Sequence, residues 1–178
     1  SKTAVRLVLG GAGLFALAVI ALRVYVGSDV QPLLGEWFVG PDAYMRMVRV
    51  WEWWQAMAGG GSWYDTVSTR SNWPSGEVLH WTRPLDVALL VLASPFWPVV
   101  GLDKALFDAG VIVSAVMALL SMWFVLPGTR VLLDQRGQAM LLVLCAFQPI
   151  TRAYYLAARP DHHSLILLAF CVVLALLI

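Results

Sequence analysis

Of 178 residues, 60% are hydrophobic and only 13% charged; mean hydropathy is +0.76 and formal net charge +1. Soluble domains carry roughly 25% charged residues, so the composition excludes an ordinary soluble protein and implies an all-α integral membrane one. Nucleic-acid partners are excluded too, since no basic run or RNA-binding motif occurs.

The first predicted element is an apolar run over residues 7–26 behind Lys2 and Arg6. It is longer than the roughly 7–15 residues of a signal-peptide core, so an uncleaved first span is expected. A long loop over 27–104 follows, and its part up to Pro84 holds seven of the nine Trp (Trp37, Trp51, Trp53, Trp54, Trp63, Trp73 and Trp81). Indole rings suit the membrane–water interface. Within the loop, Gly40-Pro41-Asp42 reads as a helix start with Asp42 able to cap it, and a helix of mixed character is predicted over 42–58. Gly59-Gly60-Gly61-Ser62 ends it, and residues 63–83 read as irregular.

The next apolar run, 85–100, has only 16 residues and contains Asp86, Pro95 and Pro98. A helical span needs about 20. Three further spans are predicted at 105–126, 139–158 and 164–178. Cys145 and Cys171 fall in these apolar segments without CxxC or zinc-type spacing, and are expected as free thiols. The run that reaches Ile178 has no charged flank, so the 178 residues read as one transmembrane domain truncated at its C-terminus.

The segment at 85–100 decides the topology. If it crosses, the Asp42 loop and the motif Arg159-Pro160-Asp161-His162-His163 lie on opposite sides. If it only dips in, as an interfacial helix over about 85–97, there are four spans and both acids face outside. Lys2, Arg6, Arg130 and Arg136 then lie inside, as the positive-inside tendency favours. The four-span topology is preferred, with the N-terminus inside and 27–104 outside.

Ionisable groups beside lipid usually line a site. Asp42 and Asp161 could each be a simple helix cap, and the His pair could be interfacial packing. Together on one face, Asp42, Asp161 and His163 offer carboxylate oxygen and imidazole nitrogen to a divalent ion. That donor set suits Mn²⁺ and, less well, Mg²⁺. Arg159 and Arg152 could clamp phosphate oxygens. Asp42 could equally serve as general base toward an acceptor.

The order of motifs resembles the N-terminal part of oligosaccharyltransferase catalytic subunits, within the GT-C membrane glycosyltransferases. The matching stretches are Gly40-Pro41-Asp42-Ala43-Tyr44, then Pro74-Ser75-Gly76 running to His80-Trp81-Thr82-Arg83-Pro84-Leu85, then Arg159-Pro160-Asp161-His162-His163 after Tyr154-Tyr155. The resemblance implies a GT-C-like fold in a bacterial or archaeal cell membrane. It implies transfer of a polyprenyl-phosphate-linked sugar or oligosaccharide, at the outer face, to a protein or lipid acceptor, as in protein glycosylation. Asp42 would be the first-loop catalytic acid and Asp161 the first acid of the second motif. A metal would rest on Asp42, Asp161 and His163. Arg159, Arg152, His162, Tyr155, His80 and Trp81 would face the lipid phosphate or substrate. His163 stands where the family usually has a second carboxylate. The later outer loop and soluble domain of such enzymes are not in these residues, so the chain alone is expected to be inactive. Two other readings stay open: a transporter or flippase segment using Arg23, Asp108 and Arg152, and a structural subunit anchored by its Trp-rich loop.

Overall fold

The structure, a computed structural model, describes residues 37–63, 67–68, 70, 72–78 and 83–177. The predicted span at 7–26 and the candidate residues His80 and Trp81 lie outside these. The described chain is mostly helical.

Helix α1 runs Pro41–Ala58. Proline at the first helical position has its φ already set and gives up an N–H that would go unbonded anyway. Gly40 takes the N-cap position at φ 87°, which side-chain-bearing residues avoid. The expectation that Asp42 caps this helix is corrected: Asp42 sits exposed in the first turn, and no side chain makes a capping bond. One face of α1 is buried and carries Ala43, Arg46, Arg49, Val50 and Trp53. Two arginines therefore lie on the stripe that faces the core.

Part of the stretch expected to be irregular is a small hairpin. Strand β1 (Val67–Ser68) pairs antiparallel with β2 (Glu77–Val78), with Val67 opposite Val78 and Ser68 opposite Glu77. Ser68 Oγ donates to Glu52 of α1 at 3.0 Å, which fastens the hairpin to the helix.

Helix α2 spans Pro84–Ala93 and a short α3 spans Trp97–Val100. Ten residues at about 1.5 Å each give about 15 Å, half of the roughly 30 Å hydrocarbon thickness. The helix predicted over 85–97 thus ends at Ala93, just before Pro95, which brings no N–H to continue the ladder.

Helix α4, Leu102–Gly128, follows Gly101 and runs into a 3₁₀ turn at Thr129–Val131. The stretch Leu102–Val131 is the one helix among the described residues long and apolar enough to cross a membrane. Its buried positions Ala105, Ala109, Val113, Met117 and Ser121 recur every four residues, and most are small. Such a stripe lets helices approach closely. At the far end, a Cβ on Gly128 would stand 2.9 Å from Ala175 Cα. Elsewhere on α4, Ile112, Leu120, Trp123 and Phe124 are exposed.

The predicted element at 139–158 is not one helix. Helix α5 (Gln135–Phe147) stops at Gln148, whose ψ of 128° is extended, and α6 (Pro149–Tyr154) begins anew. Proline pushes the residue before it out of the helical region and cannot donate to the preceding turn. Asp134 caps α5 through Gly137 N at 2.8 Å. Helix α7, His162–Leu177, packs along α4 and exposes Ile166, Phe170, Val173, Leu176 and Leu177.

Candidate functional site

The first constellation is an ion cluster between α1 and α2. Asp86, in the first turn of α2, is fully buried. Its Oδ1 receives Arg46 Nη1 at 2.8 Å; its Oδ2 receives Arg49 Nη2 at 2.9 Å and Arg83 Nη1 at 3.3 Å. Arg83 also lies over the Trp53 ring, 4.6 Å from its centroid. A carboxylate has lone pairs for several donors, and charge-assisted bonds of this kind are the strong ones. Burial pushes the Arg49 guanidinium below its usual value, with Asp86 opposing and Arg83 and Arg46 adding to the fall.

The second constellation sits where the chain turns from α6 into α7. The loop is held from three sides. Val39 N donates to Ala158 O at 2.8 Å, Ala158 N to Val111 O at 3.1 Å, and Ser114 Oγ to Arg159 O at 2.6 Å. Ala158 adopts φ 56°, a left-handed conformation costing a non-glycine residue about 1–3 kcal/mol, which persists only where the surroundings enforce it. What those ties fix in place is Asp161, 5% exposed.

His163 Nδ1 lies 2.8 Å from Asp161 Oδ2 in hydrogen-bonding geometry. His162 Nδ1 sits 2.7 Å from Oδ1 and is buried. Arg159 Nη2 approaches Oδ2 at 3.4 Å. Tyr154 stacks on His163 at 4.9 Å between centroids, and the two imidazoles lie 4.3 Å apart. Burial by itself would raise the Asp161 carboxyl. The hydrogen bond from His163 and the charges of His163, His162 and Arg159 outweigh it and hold the group below the usual carboxylate range. Burial likewise lowers His162; Asp161 opposes this, while His163 and Arg46 reinforce it.

The sequence candidates land in different places. Asp161, His162, His163 and Arg159 come together. Their possible ligand atoms, one each from Asp161, His162 and His163, all lie within 4.8 Å of one another. Asp42 is not among them. Ala43, beside it in α1, shares a buried cluster with Phe38 and Ala158, while the Asp42 side chain stays exposed. Arg152 is exposed in the last turn of α6. Tyr155 is buried, with its hydroxyl 2.6 Å from Ser121 Oγ, so its polar end is committed to the interior. Its neighbour Tyr154 is the tyrosine at the His pair. Sequence reasoning missed Arg46, Arg49, Arg83 and Asp86 as a unit. The available signal was Arg46 at helical spacing with Ala43, Val50 and Trp53, and an Arg-x-x-Asp pair opening α2.

A cleft of about 420 Å³ lies on another side of α1, lined by Phe38, Met47, Val48, Trp51, Arg70, Asp103, Leu106 and Phe107. Trp51 Nε1 donates to Asp103 there at 2.8 Å, and Arg70 lies over the Trp51 ring.

Compared with protein-family models, curated proteins and solved structures, the chain gives no match.

Proposed function

We propose that the chain is the N-terminal membrane portion of a glycosyltransferase that uses a polyprenyl-phosphate-linked sugar and acts at the outer face. The observation that carries this reading is the tie between the two acidic segments. The Val39–Ala158 hydrogen bond and the buried cluster of Phe38, Ala43 and Ala158 draw the start of α1, where Asp42 sits, against the loop that carries Asp161. In the proposed topology α2 and α3 dip into the outer leaflet, spans cross at about 7–26, 105–126 and 164–178, and the broken pair α5 and α6 takes the place of the fourth at about 139–158. The 15 Å length of α2 supports that topology.

In this reading each group has a task. Asp42, exposed at the helix start, takes the proton of the acceptor nucleophile as it attacks the anomeric carbon. The bond from that carbon to the phosphate oxygen breaks, and the phosphate keeps the electron pair. Arg159, half-buried at the mouth of the loop, meets the phosphate charge. The donor set Asp161, His162 and His163 fits a divalent ion, which when bound would neutralise charge on the departing phosphate.

The transporter reading loses one support. Asp108 pairs with Lys104 at 2.8 Å, with both side chains more than 40% exposed on the surface of the helix bundle rather than lining a buried pathway. In the full-length protein with a lipid-linked sugar donor, Asp42→Asn and Asp161→Asn should each lower sugar transfer by at least a hundredfold. Unchanged transfer in both variants would end the transferase reading.

A further inference from the structure

We propose that the turn joining α4 to α5 is a binding surface for the headgroup of an anionic phospholipid, held by Arg130 and Arg136. The proposal rests on α4 being a membrane span and on nothing in the sugar-transfer chemistry.

The stretch Leu102–Val131 has 30 residues, about 45 Å at 1.5 Å each. A bilayer with its headgroups is about 40–45 Å thick, so the last turn of this helix stands at headgroup depth when the helix crosses. Ser114 of α4 holds the Asp161 loop, and Arg130 follows about four helical turns further along. The surface is therefore remote from the site described above.

The turn is firmly built. Leu132 N and Leu133 N both donate to Thr129 O, at 3.0 and 2.8 Å. Gln138, early in α5, donates through Nε2 to Leu126 O at 2.7 Å and to Thr129 Oγ1 at 3.3 Å. These bonds lock the start of α5 against the end of α4, which puts Arg130 and Arg136 at the same end of the helix pair. Both arginines are exposed, and neither forms an ion pair among the described residues. The acid between them, Asp134, is committed to capping α5 through Gly137 N at 2.8 Å.

The surroundings of the two guanidiniums are apolar. Val131 and Leu132, between them, are 76% and 68% exposed. Arg136 heads a stripe of α5 on which Met140, Leu144 and Phe147 are exposed at helical spacing. Such a stripe faces acyl chains, and an arginine above it lays its aliphatic stem along them and keeps its charge among the headgroups.

Charge complementarity selects the lipid. A guanidinium fork matches phosphate oxygens. A zwitterionic headgroup brings its own cation to that phosphate, whereas one of net negative charge leaves it to the protein. Each arginine beside an anionic lipid surface favours it by about fivefold.

Native mass spectrometry of the chain, released from mixed micelles holding equal phosphatidylglycerol and phosphatidylcholine, tests this. The first retained lipid should be phosphatidylglycerol by about twentyfold. Arg130→Gln and Arg136→Gln should each cut that preference about fivefold, and the double variant should bring it below twofold. Should the double variant fail to fold, Arg130→Lys with Arg136→Lys keeps the charge, removes the fork, and should lower the preference by twofold or more. Equal retention of the two lipids, a preference that survives unchanged in either pair of substitutions, or equal displacement by inorganic phosphate would overturn the proposal. Absent preference in a chain that alkaline carbonate leaves embedded in vesicles overturns the proposal alone; a chain stripped from them by carbonate overturns the span reading with it.

Discussion

Removing the carboxylate of Asp86 should be among the most damaging single changes to the fold. Asp86 is fully buried, and Arg46 and Arg49 are 2% and 3% exposed. Three guanidinium groups reach its two oxygens within 3.3 Å. Asp86→Ala leaves those cations facing one another in the interior without the charge that organises them. Breaking a buried pair in this way costs about 3–5 kcal/mol. For a chain of this size about 1 kcal/mol moves Tm by about 2–4 °C, so the expected fall is about 6–20 °C. Thermal unfolding in detergent, followed by tryptophan fluorescence, reports it directly, because Arg83 lies over Trp53. Asp86→Asn, which keeps the shape and one acceptor, should fall less. A Tm loss below about 2 °C for Asp86→Ala would refute the argument that this cluster joins α1 to α2.

Three further outcomes follow from other parts of the molecule. Gly128→Leu places a side chain where Ala175 Cα already stands 2.9 Å from a Cβ; overpacking at such a crossing costs about 1–3 kcal/mol, measurable as a lower Tm. Tyr155→Phe removes only the hydroxyl bonded to Ser121, worth about 0.5–1.5 kcal/mol; any sugar transfer by the full-length protein should survive, whereas a substrate-binding Tyr155 would abolish it. Acid should destabilise the fold in two stages. His162 is depressed, so the unfolded chain takes up protons first, and stability falls as pH drops below about 6.5. Asp161 is also depressed, so its contribution is complete above about pH 3.9 and is lost as pH falls through its lowered value. Chemical unfolding from pH 8 to pH 3 should show both slopes, and Asp161→Asn should flatten the lower one.

Much of the helical architecture was legible because its signals are local. Gly101 before the apolar run, and Pro41 after Gly40, mark helix starts that backbone chemistry imposes whatever lies nearby. The break at Gln148 was legible in principle too, since Pro149 forces it; hydropathy alone hid it, because both sides of the break are equally apolar. The hairpin at Val67–Val78 was not, for two short strands tied to α1 through Glu52 have almost no pattern of their own.

For the site, the composition and order of residues determined that charge clusters at Arg159 to His163 beside apolar segments, and that this is chemically costly unless the groups find partners. Which partners they find is a property of tertiary structure alone. Asp161 takes the His pair and Arg159 because Val39, Val111 and Ser114, from distant segments, clamp the loop that turns it inward. Asp86, which in the sequence only spoils an apolar run, becomes the carboxylate for Arg46 and Arg49 because α1 and α2 pack side by side. Pairing energies depend on distance and burial, and neither is written in the order of residues along the chain.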